Sequence, residues 1–419
     1  MPTPQRTGGG REFFTTVTVG AALQLLADLE ATPGETVPLA EALGRTPVAT
    51  VTAPAALPGF ARSTVDGFAV RAADTFGASD GLPTYLDLVG EVAMGRPSTV
   101  AVRVGTAVAV PTGGVLPDGA DAVVMVEHTQ ATMSGTVEVA RPVAPGDGTV
   151  AADEDVAAGA GLVPAGRPVR AADLGLLAAA GMVQLVVHRR PRVAVVSTGD
   201  EVVPPDTVTL APGQVRDATA SALGGLVADA GGVAVPFGIV ADDGPALEEV
   251  LRAAVAACDL VLVSAGSSVG ARDVTADVVA RLGQPGILCH GLAIRPGKPT
   301  ILADCGGVPV VGLPGNPLSA LVVFRLLGVP LVRRLAGTTC PPPEPVLAAT
   351  LDRQVPSQAG RLDVVQVRVT RSVDGAVATP LFGASALLSV LTSSDGWLAV
   401  DEDATGLPAG APVDVTLYR

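Results

Sequence analysis

Two neighbouring stretches decide the fold of this chain: LAIRPGKPT at residues 292–300 and VVGLPGNPLSA at residues 310–320. The second stretch predicts a buried strand that ends at Gly312, a tight turn rich in Gly and Pro, and a helix that begins at Leu318. A strand that passes through a turn into a helix is the repeating unit of parallel α/β sheets. The sequence therefore predicts such a sheet around these residues.

The same tract also indicates an anion site. Arg295 and Lys298 lie three residues apart around a Pro-Gly turn. The predicted strand–turn–helix presents backbone N–H groups and the positive end of a helix dipole. Each turn alone is better explained by an ordinary tight turn in a chain rich in Gly and Pro. Because both flank one strand, the pair favours a phosphate or another oxyanion as the ligand.

The composition narrows the partners that such a site can have. The 419 residues carry a net charge of −14, and only 3% are aromatic, which argues against nucleic acid and anionic membrane surfaces. Three histidines supply a metal site or a catalytic triad poorly, and the four cysteines lack CxxC spacing. No apolar run is long enough to span a bilayer, and no signal sequence is evident, so we expect a cytoplasmic protein.

Beyond Arg192 the chain alternates between apolar runs and helical patterns, which predicts a doubly wound, mostly parallel sheet covered on both faces. The predicted strands are 193–196, 234–240 and 260–263, and the predicted helices are 218–230, 245–257, 274–282 and 318–335.

The flanking regions differ from this pattern. Helices are predicted over 19–30 and 39–43, and the last segment, from about 346, predicts a small β-barrel or a sandwich. Between them, a compact β region is predicted with strands at 85–89, 100–104, 107–110 and 122–126.

Carboxylates follow the strands of the predicted parallel sheet. Asp200 and Glu201 follow one strand, Asp242 and Asp243 follow another, and Asp273 comes shortly after a third. Ligands of open α/β sheets bind beyond the carboxyl ends of the strands, and carboxylates beside phosphate are typical of Mg²⁺ sites. The alternative for each carboxylate is an ordinary helix cap.

Nine segments in order along the chain carry a resemblance to one family. The chain is similar to the molybdopterin molybdenumtransferases, which comprise bacterial MoeA proteins, plant Cnx E domains and the E domain of gephyrin. The segments are PGFARSTVDGFAV (58–70), PTGGVLPDGADAVVMVE (111–127), STGDE (197–201), ADD (241–243), SAGSSVGARDVT (264–275), LAIRPGKPT (292–300), GLPGNPLSA (312–320), GRLDVVQVRV (360–369) and FGASALLSVL (382–391).

The resemblance implies a multidomain α/β protein. It implies a helical and extended linking domain, an inserted small β-rich domain, a central α/β domain of the molybdopterin-binding type and a C-terminal β-barrel. The corresponding boundaries are 15–50 plus 141–190, 51–140, 191–338 and 339–419.

The resemblance also implies an activity. Family members form homodimers and insert molybdate into adenylylated molybdopterin with Mg²⁺, releasing AMP and molybdenum cofactor. The substrate would come from a molybdopterin adenylyltransferase. No nucleic acid or membrane partner is implied.

Site residues carry over by motif. Asp66 and Thr112 would reach the partner subunit's site. The implied catalytic residues are Asp66, Thr112, Asp200, Glu201, Asp242, Asp243 and Lys298, and the implied Mg²⁺ ligands are Glu201 and Asp273. The implied binding residues are Ser267, Ser268, Arg295, Lys298, Pro314, Gly315, Asn316, Ser319, Arg361 and Ser385.

Several positions depart from the family pattern. Ala151 and Ala152 stand where arginines are usual, Asp153 replaces a glycine, and Phe68 replaces a tyrosine. These changes keep an alternative open, in which a catalytically weak paralogue serves as a pterin-binding or scaffold protein. A third possibility is a nucleotide-pyrophosphate hydrolase. The C-terminal match opposes it, because a plain hydrolase needs no oxyanion site there.

Overall fold

A computed structural model describes residues 16–264, 269–373 and 375–418, without the side chains of residues 269–273. Its first elements are short, and the first helix ends well before the predicted residue 30. They are α1 (Val19–Gln24), β1 (Gly34–Pro38), a 3₁₀ turn (Leu39–Glu41) in place of the predicted helix at 39–43, β2 (Val51–Thr52) and β3 (Arg62–Ser63).

The end of α1 has a local cause. Beyond Leu25 the backbone bonds span three residues, as in the bond from Ala27 N to Gln24 O at 3.1 Å. The carbonyl of Leu26 accepts from the Leu29 N–H at 3.2 Å and also from the Arg334 guanidinium, so a residue distant along the chain helps to satisfy the carbonyl groups beyond the end of the helix. The apolar spacing alone predicts a longer helix than the structure contains.

A six-stranded sheet follows in the order β7-β4-β6-β5-β9-β8, antiparallel except between β5 and β6. Its strands are β4 (Gly67–Val70), β5 (Thr84–Glu91), β6 (Thr106–Val110), β7 (Ala122–Met125), β8 (Thr129–Ala131) and β9 (Thr136–Val139). Phe68 is buried in its apolar core, where a phenolic hydroxyl would need a partner.

The strand predicted at 100–104 is wrong. Val102 is buried, but its N–H donates to the carbonyl of Asp118 at 2.8 Å. The segment therefore fills the core while it pairs with a loop instead of a strand.

The next segment returns to pair with the beginning of the chain. It contains β10 (Thr149–Val150), β11 (Gly161–Val163), α2 (Ala171–Ala179) and β12 (Gln184–His188). β10, β11 and β12 pair antiparallel with β3, β2 and β1. Val37, Leu162, Leu177 and Val187 share one buried cluster, so the two segments that flank the six-stranded sheet form a joint core.

The central sheet has the order β16-β13-β17-β21-β20-β18, with the first four strands parallel and the last two antiparallel to their neighbours. Its region contains β13 (Arg192–Thr198), β14 (Val202–Val203), β15 (Val215–Arg216), α3 (Ala218–Asp229), β16 (Val233–Val240), α4 (Gly244–Ala257), β17 (Leu260–Ser264), α5 (Val269–Val279), β18 (Pro285–His290), β19 (Ile294–Arg295), β20 (Ile301–Cys305), β21 (Pro309–Leu313), α6 (Pro317–Val323) and α7 (Val329–Leu335).

Both faces of this sheet are buried, as its apolar runs predict. Along β17, Leu260 and Leu262 belong to the cluster that contains residues of α3, α6 and α7. Val261 and Val263 belong to the cluster on the α4 and α5 face. Each fully buried side chain of this size stabilises the fold by about 1.5–3 kcal/mol. A π-helical turn at Phe324–Gly328 separates α6 from α7, where a continuous helix was predicted.

The last region forms a closed barrel. It contains β22 (Val346–Leu351), β23 (Val355–Pro356), β24 (Leu362–Ser372), β25 (Gly375–Pro380), α8 (Leu388–Thr392), β26 (Gly396–Val400), β27 (Gly406–Leu407) and β28 (Pro412–Leu417). The sheet runs β24-β25-β22-β28-β26, and β26 pairs again with β24, which closes five strands. Of the two alternatives from the sequence, the barrel is therefore correct. In the described ranges, no helix is long and apolar enough to cross a membrane.

Asp153 offers a test of backbone strain. Within the described ranges it is the one residue other than glycine with a positive φ, 64°. We predict that Asp153→Gly raises the melting temperature, because relief of the left-handed conformation is worth about 0.5–1 kcal/mol net of chain entropy. Calorimetry would measure the change. Asp155→Gly, two residues away with no such strain, should lower the melting temperature, and equal shifts for both variants would contradict the explanation.

Candidate oxyanion cleft and carboxylate cluster

A cleft of about 1470 Å³ lies where the barrel meets the end of the central sheet. Residues from both regions line it, among them seven that the sequence predicted as binding residues. These are Arg295, Lys298, Pro314, Asn316, Ser319, Arg361 and Ser385. Gly315 lies between two of the lining residues in the same turn. The structure therefore brings together in one cleft residues that lie up to 90 positions apart in the sequence and that were predicted only from their motifs.

The Arg-Pro-Gly-Lys turn depends on its glycine. Gly297 has a φ of 118°, and a Cβ there would lie 2.5 Å from Cγ2 of Val323. The Thr300 hydroxyl donates to the Gly297 carbonyl at 2.7 Å and closes the turn. The turn therefore fixes the backbone from which Arg295 and Lys298 extend into the cleft.

The Pro-Gly-Asn-Pro turn also lines the cleft. Asn316 precedes α6, and Ser319 in the first turn of that helix is 5% exposed. The N–H of Leu318 donates to the carbonyl of Ser385 at 3.1 Å. This bond ties the barrel loop that carries Ser385 to the beginning of the helix, so two hydroxyl groups line one cleft.

Asp363 is a cleft residue that the sequence analysis missed. Its side chain is 5% exposed, and Arg361 donates to it from Nε at 2.7 Å and from Nη2 at 3.4 Å. Nη1 of Arg295 lies 3.8 Å from Oδ2 of the same carboxylate. The spacing of Arg361 and Asp363 could have identified it, because the side chains of residues two apart in an extended chain point to the same side.

A cluster of three carboxylates lies at the ends of β13 and β16. Oδ1 of Asp200 accepts a hydrogen bond from the Asp242 N–H at 3.1 Å. Burial raises the pKa of Asp242, and the nearby carboxylates of Asp200 and Glu201 raise it further. Asp243 instead caps α4 by accepting from the Ala246 N–H at 2.9 Å, which is the structural alternative considered for it.

The cluster and the cleft share one edge of the central sheet. The parallel strands β16, β13, β17 and β21 are neighbours in that order, so their carboxyl ends lie side by side. Three strand spacings separate β16 from β21, or about 14 Å. Strand β17 lies between the two groups and ends at Ser264. Ser267, Ser268 and the side chain of Asp273 follow it in the sequence and lie outside the described residues.

Asp66 and Thr112 form a separate pair on the six-stranded sheet. Oδ1 of Asp66 accepts from the Thr112 N–H at 2.7 Å and from its hydroxyl at 3.0 Å. The backbone hydrogen bond, followed by the hydroxyl, holds the pKa of Asp66 below its ordinary value. Both residues are exposed, and neither lines the cleft.

The carboxylate cluster has the donor chemistry that Mg²⁺ requires. Mg²⁺ binds oxygen, and it usually takes one or two protein carboxylates together with phosphate and water. Among the described side chains, no three His, Cys, Asp or Glu residues converge as a complete metal site. Asp200, Glu201 and Asp242 thus supply oxygen ligands of the kind that Mg²⁺ takes, but they do not form a complete metal site by themselves.

The fold and the cleft define a multidomain α/β protein with a cleft lined by cationic residues between a parallel sheet and a barrel. Three family models match the chain. They are the MoeA N-terminal region (domain I and II) at residues 17–181, a probable molybdopterin binding domain at 194–334 and the MoeA C-terminal region (domain IV) at 348–418.

Individual relatives agree with the family models. Molybdopterin molybdenumtransferase 2 of Mycobacterium tuberculosis is 35% identical over 91% of this chain and 94% of its own. The corresponding protein of a Nostoc species is 37% identical over 72% of this chain and 70% of its own. A crystal structure of a molybdopterin biosynthesis MoeA protein from Pyrococcus horikoshii superposes with a TM-score of 0.83, at 30% identity, over 96% of this chain and all of its own. The chain belongs to the molybdopterin molybdenumtransferase (MoeA) family of molybdenum cofactor biosynthesis enzymes.

Asp242 gives a pH-dependent prediction. The folded protein raises the pKa of this carboxyl above its ordinary value of 3.8. The charged form of Asp242 therefore destabilises the folded state at pH values above the raised pKa. Asp242→Asn should therefore raise the melting temperature at pH 7 and leave it unchanged near pH 3, where both forms are neutral. Mg²⁺ should raise the melting temperature of the wild type more than that of the variant.

The matched control is Asp243→Asn, because asparagine retains the cap of α4. This variant should melt close to the wild type at both pH values. A stabilisation by Asp242→Asn that persists at pH 3 would show that the carboxylate repulsion is not its cause.

Proposed function

We propose that this protein inserts molybdate into adenylylated molybdopterin in an Mg²⁺-dependent reaction that releases AMP and yields molybdenum cofactor. The observation that carries the proposal is the cleft in which Arg295, Lys298 and Arg361 meet the hydroxyls of Ser319 and Ser385. The names of the relatives support the same assignment. Among several possible chemistries, this one uses both the cationic cleft and the carboxylates on the same sheet edge.

The cleft residues suit a tetrahedral oxyanion. Guanidinium groups, an ammonium group and hydroxyl groups donate hydrogen bonds to oxygen and neutralise its charge. Among the residues that the structure describes, no cysteine or methionine lines the cleft, so none of them offers molybdenum a soft ligand there. The dithiolene sulfurs of the pterin provide such ligands, so the role of the protein is to hold the oxyanion beside them.

The carboxylates suit the nucleotide end of the substrate. Glu201 and the predicted ligand Asp273 would hold Mg²⁺, with Asp200 or Asp242 beside them. When bound, Mg²⁺ neutralises phosphate charge and polarises the phosphoryl oxygens. The residues of the chain orient that phosphate at the end of β13, while the cleft holds molybdate beyond the end of β21, two strand spacings or about 10 Å away.

Asp66 and Thr112 fit a site that two subunits share. They are far along the chain from the cleft residues, and neither lines the cleft of its own subunit. Both residues are exposed, and the hydrogen bonds from Thr112 favour the ionised form of Asp66, which a neighbouring molecule can reach. We therefore include in the proposal a cytoplasmic homodimer in which this pair completes the partner's site, supplied by a molybdopterin adenylyltransferase.

Turnover in vitro tests the proposal directly. Purified protein with adenylylated molybdopterin, Mg²⁺ and molybdate should release AMP in proportion to the cofactor formed. Glu201→Ala should reduce the rate by about 100-fold or more, because it removes a ligand of the phosphate-bound cation. Asp206→Ala, a nearby carboxylate outside the cluster, is the control and should retain the wild-type rate. Substrate binding without AMP release would instead favour the pterin-binding or scaffold paralogue.

Mixed dimers test the shared site. Asp66→Asn and Arg361→Ala should each be inactive alone. When the two variants are unfolded and refolded together, half of the dimers are mixed, and each has one intact site. About a quarter of the wild-type activity should therefore return. The control mixes Asp66→Asn with Thr112→Val, whose defects lie on the same side of the interface. Recovery there, or no recovery in the first mixture, would rule out the shared arrangement.

A further inference from the structure

Asp363 is an acidic residue inside a cleft whose proposed ligand is an anion. It is 3% exposed on strand β24, and its register partner in strand β19 is Arg295. A buried carboxylate near an anion site weakens binding through its charge, and burying it costs free energy unless it is paired. Its position therefore requires a compensating role.

The geometry of Arg361 shows what that role is. A guanidinium group has five N–H donors in a planar fork. Asp363 engages the edge formed by Nε and Nη2, at 2.7 Å and 3.4 Å. The edge formed by Nη1 and the second hydrogen of Nη2 is the other edge of the guanidinium group, and within the described ranges the hydrogen bonds of the Arg361 side chain all go to Asp363. This edge presents two parallel donors in one plane, which is the arrangement that binds two oxygens of one oxyanion.

The same carboxylate also connects the two walls of the cleft. Arg361 belongs to the barrel region, whereas Arg295 belongs to the segment that extends from the central sheet. Nη1 of Arg295 lies 3.8 Å from Oδ2 of Asp363, although 64% of the Arg295 side chain is exposed. Without the carboxylate, two adjacent cations would repel each other and both side chains would gain rotamer freedom.

We propose that Asp363 is a positioning residue, which holds the Arg361 guanidinium with its free edge toward the oxyanion and keeps Arg295 beside it. The proposal rests on the oxyanion role of the cleft given above. It assigns to Asp363 no contact with the substrate and no proton transfer. Its contribution is to hold the side chains of Arg361 and Arg295 in fixed positions, so that they can bind one oxyanion together.

This role and a simple charge effect predict opposite results. If the charge of Asp363 mattered only as a repulsive field, Asp363→Ala would bind molybdate more tightly. If positioning dominates, Asp363→Ala should raise the Kd for molybdate by about ten- to a hundredfold, as for other losses of orientation. Asp363→Asn keeps one acceptor for the Arg361 Nε–H and should lose less.

Titration calorimetry with molybdate as the probe measures these values in the full-length protein. Asp352→Ala is the matched control. It removes the same charge from the same barrel, its carboxylate bonds to Thr379 at 2.7 Å, and it does not line the cleft. In turnover, the KM for molybdate should rise in Asp363→Ala while the KM for adenylylated molybdopterin stays near the wild-type value. A structural defect would change both, and Asp363→Asn provides the same test if the alanine variant does not fold.

A double-mutant cycle with Arg361→Ala decides whether Asp363 acts through Arg361. Once Arg361 is absent, Asp363→Ala should cause much less further loss of molybdate binding than it causes alone. An equal loss in both backgrounds would overturn the proposal, as would tighter binding by Asp363→Ala. Wild-type binding that Asp363→Ala leaves unchanged would overturn this inference alone. No molybdate binding by the wild type would overturn the proposed function together with it.

Discussion

The candidate cleft depends on one short backbone pairing, between strands β19 and β24. Two residue pairs make up this parallel contact, Ile294 with Leu362 and Arg295 with Asp363, and the Leu362 N–H donates to the Ala293 carbonyl at 2.8 Å. An apolar cluster that contains Leu318 and Val364 supports it from the side. Because Lys298 follows one strand and Arg361 precedes the other, a shift of this register would separate the cations of the site.

The second constraint is electrostatic. A protein with a net charge of −14 repels anions over long distances, although salt screens that repulsion beyond about 8 Å. Anion binding therefore requires a local concentration of cations within the screening length. The cleft achieves this by collecting Arg295, Lys298 and Arg361 from two regions of the chain. Asp363 reduces the net charge of this group, and the hydrogen bonds that it accepts fix the group in place.

The sequence predicted local structure well and long-range pairing less well. The predicted strands 193–196, 234–240 and 260–263 agree with β13, β16 and β17, because burial on both faces leaves a continuous hydrophobic signal. The helix predicted at 274–282 instead spans Val269–Val279 as α5, and the helix predicted at 318–335 is interrupted at Phe324–Gly328. The early end of α1 leaves no signal in its apolar spacing. Barrel closure requires β26 to return to β24, which no local pattern encodes.

The difference between local and long-range information also applies to the candidate site. Motifs identified the residues that line the cleft, because Gly, Pro and charged residues at fixed spacing can be recognised within a short stretch of sequence. They did not identify Asp363, whose significance comes from its proximity to Arg295 on another strand. The separation of Asp66 from the cleft was likewise invisible to spacing along the chain.

Opposite charges at the two ends of one sheet edge impose a requirement on the ligand. The carboxylates of Asp200, Glu201 and Asp242 repel a phosphate unless a cation lies between them. Burial, together with the repulsion from the other two carboxylates, already raises the pKa of Asp242. Guanidinium groups alone bind many oxyanions, including phosphate. Neither group is therefore selective by itself. In the proposed function, a nucleotide-linked pterin that brings its phosphate and cation to one end places its sulfurs toward the other, where the oxyanion is held. The selectivity of the site then comes from the fixed distance between two simple charge clusters, which the order of four parallel strands sets.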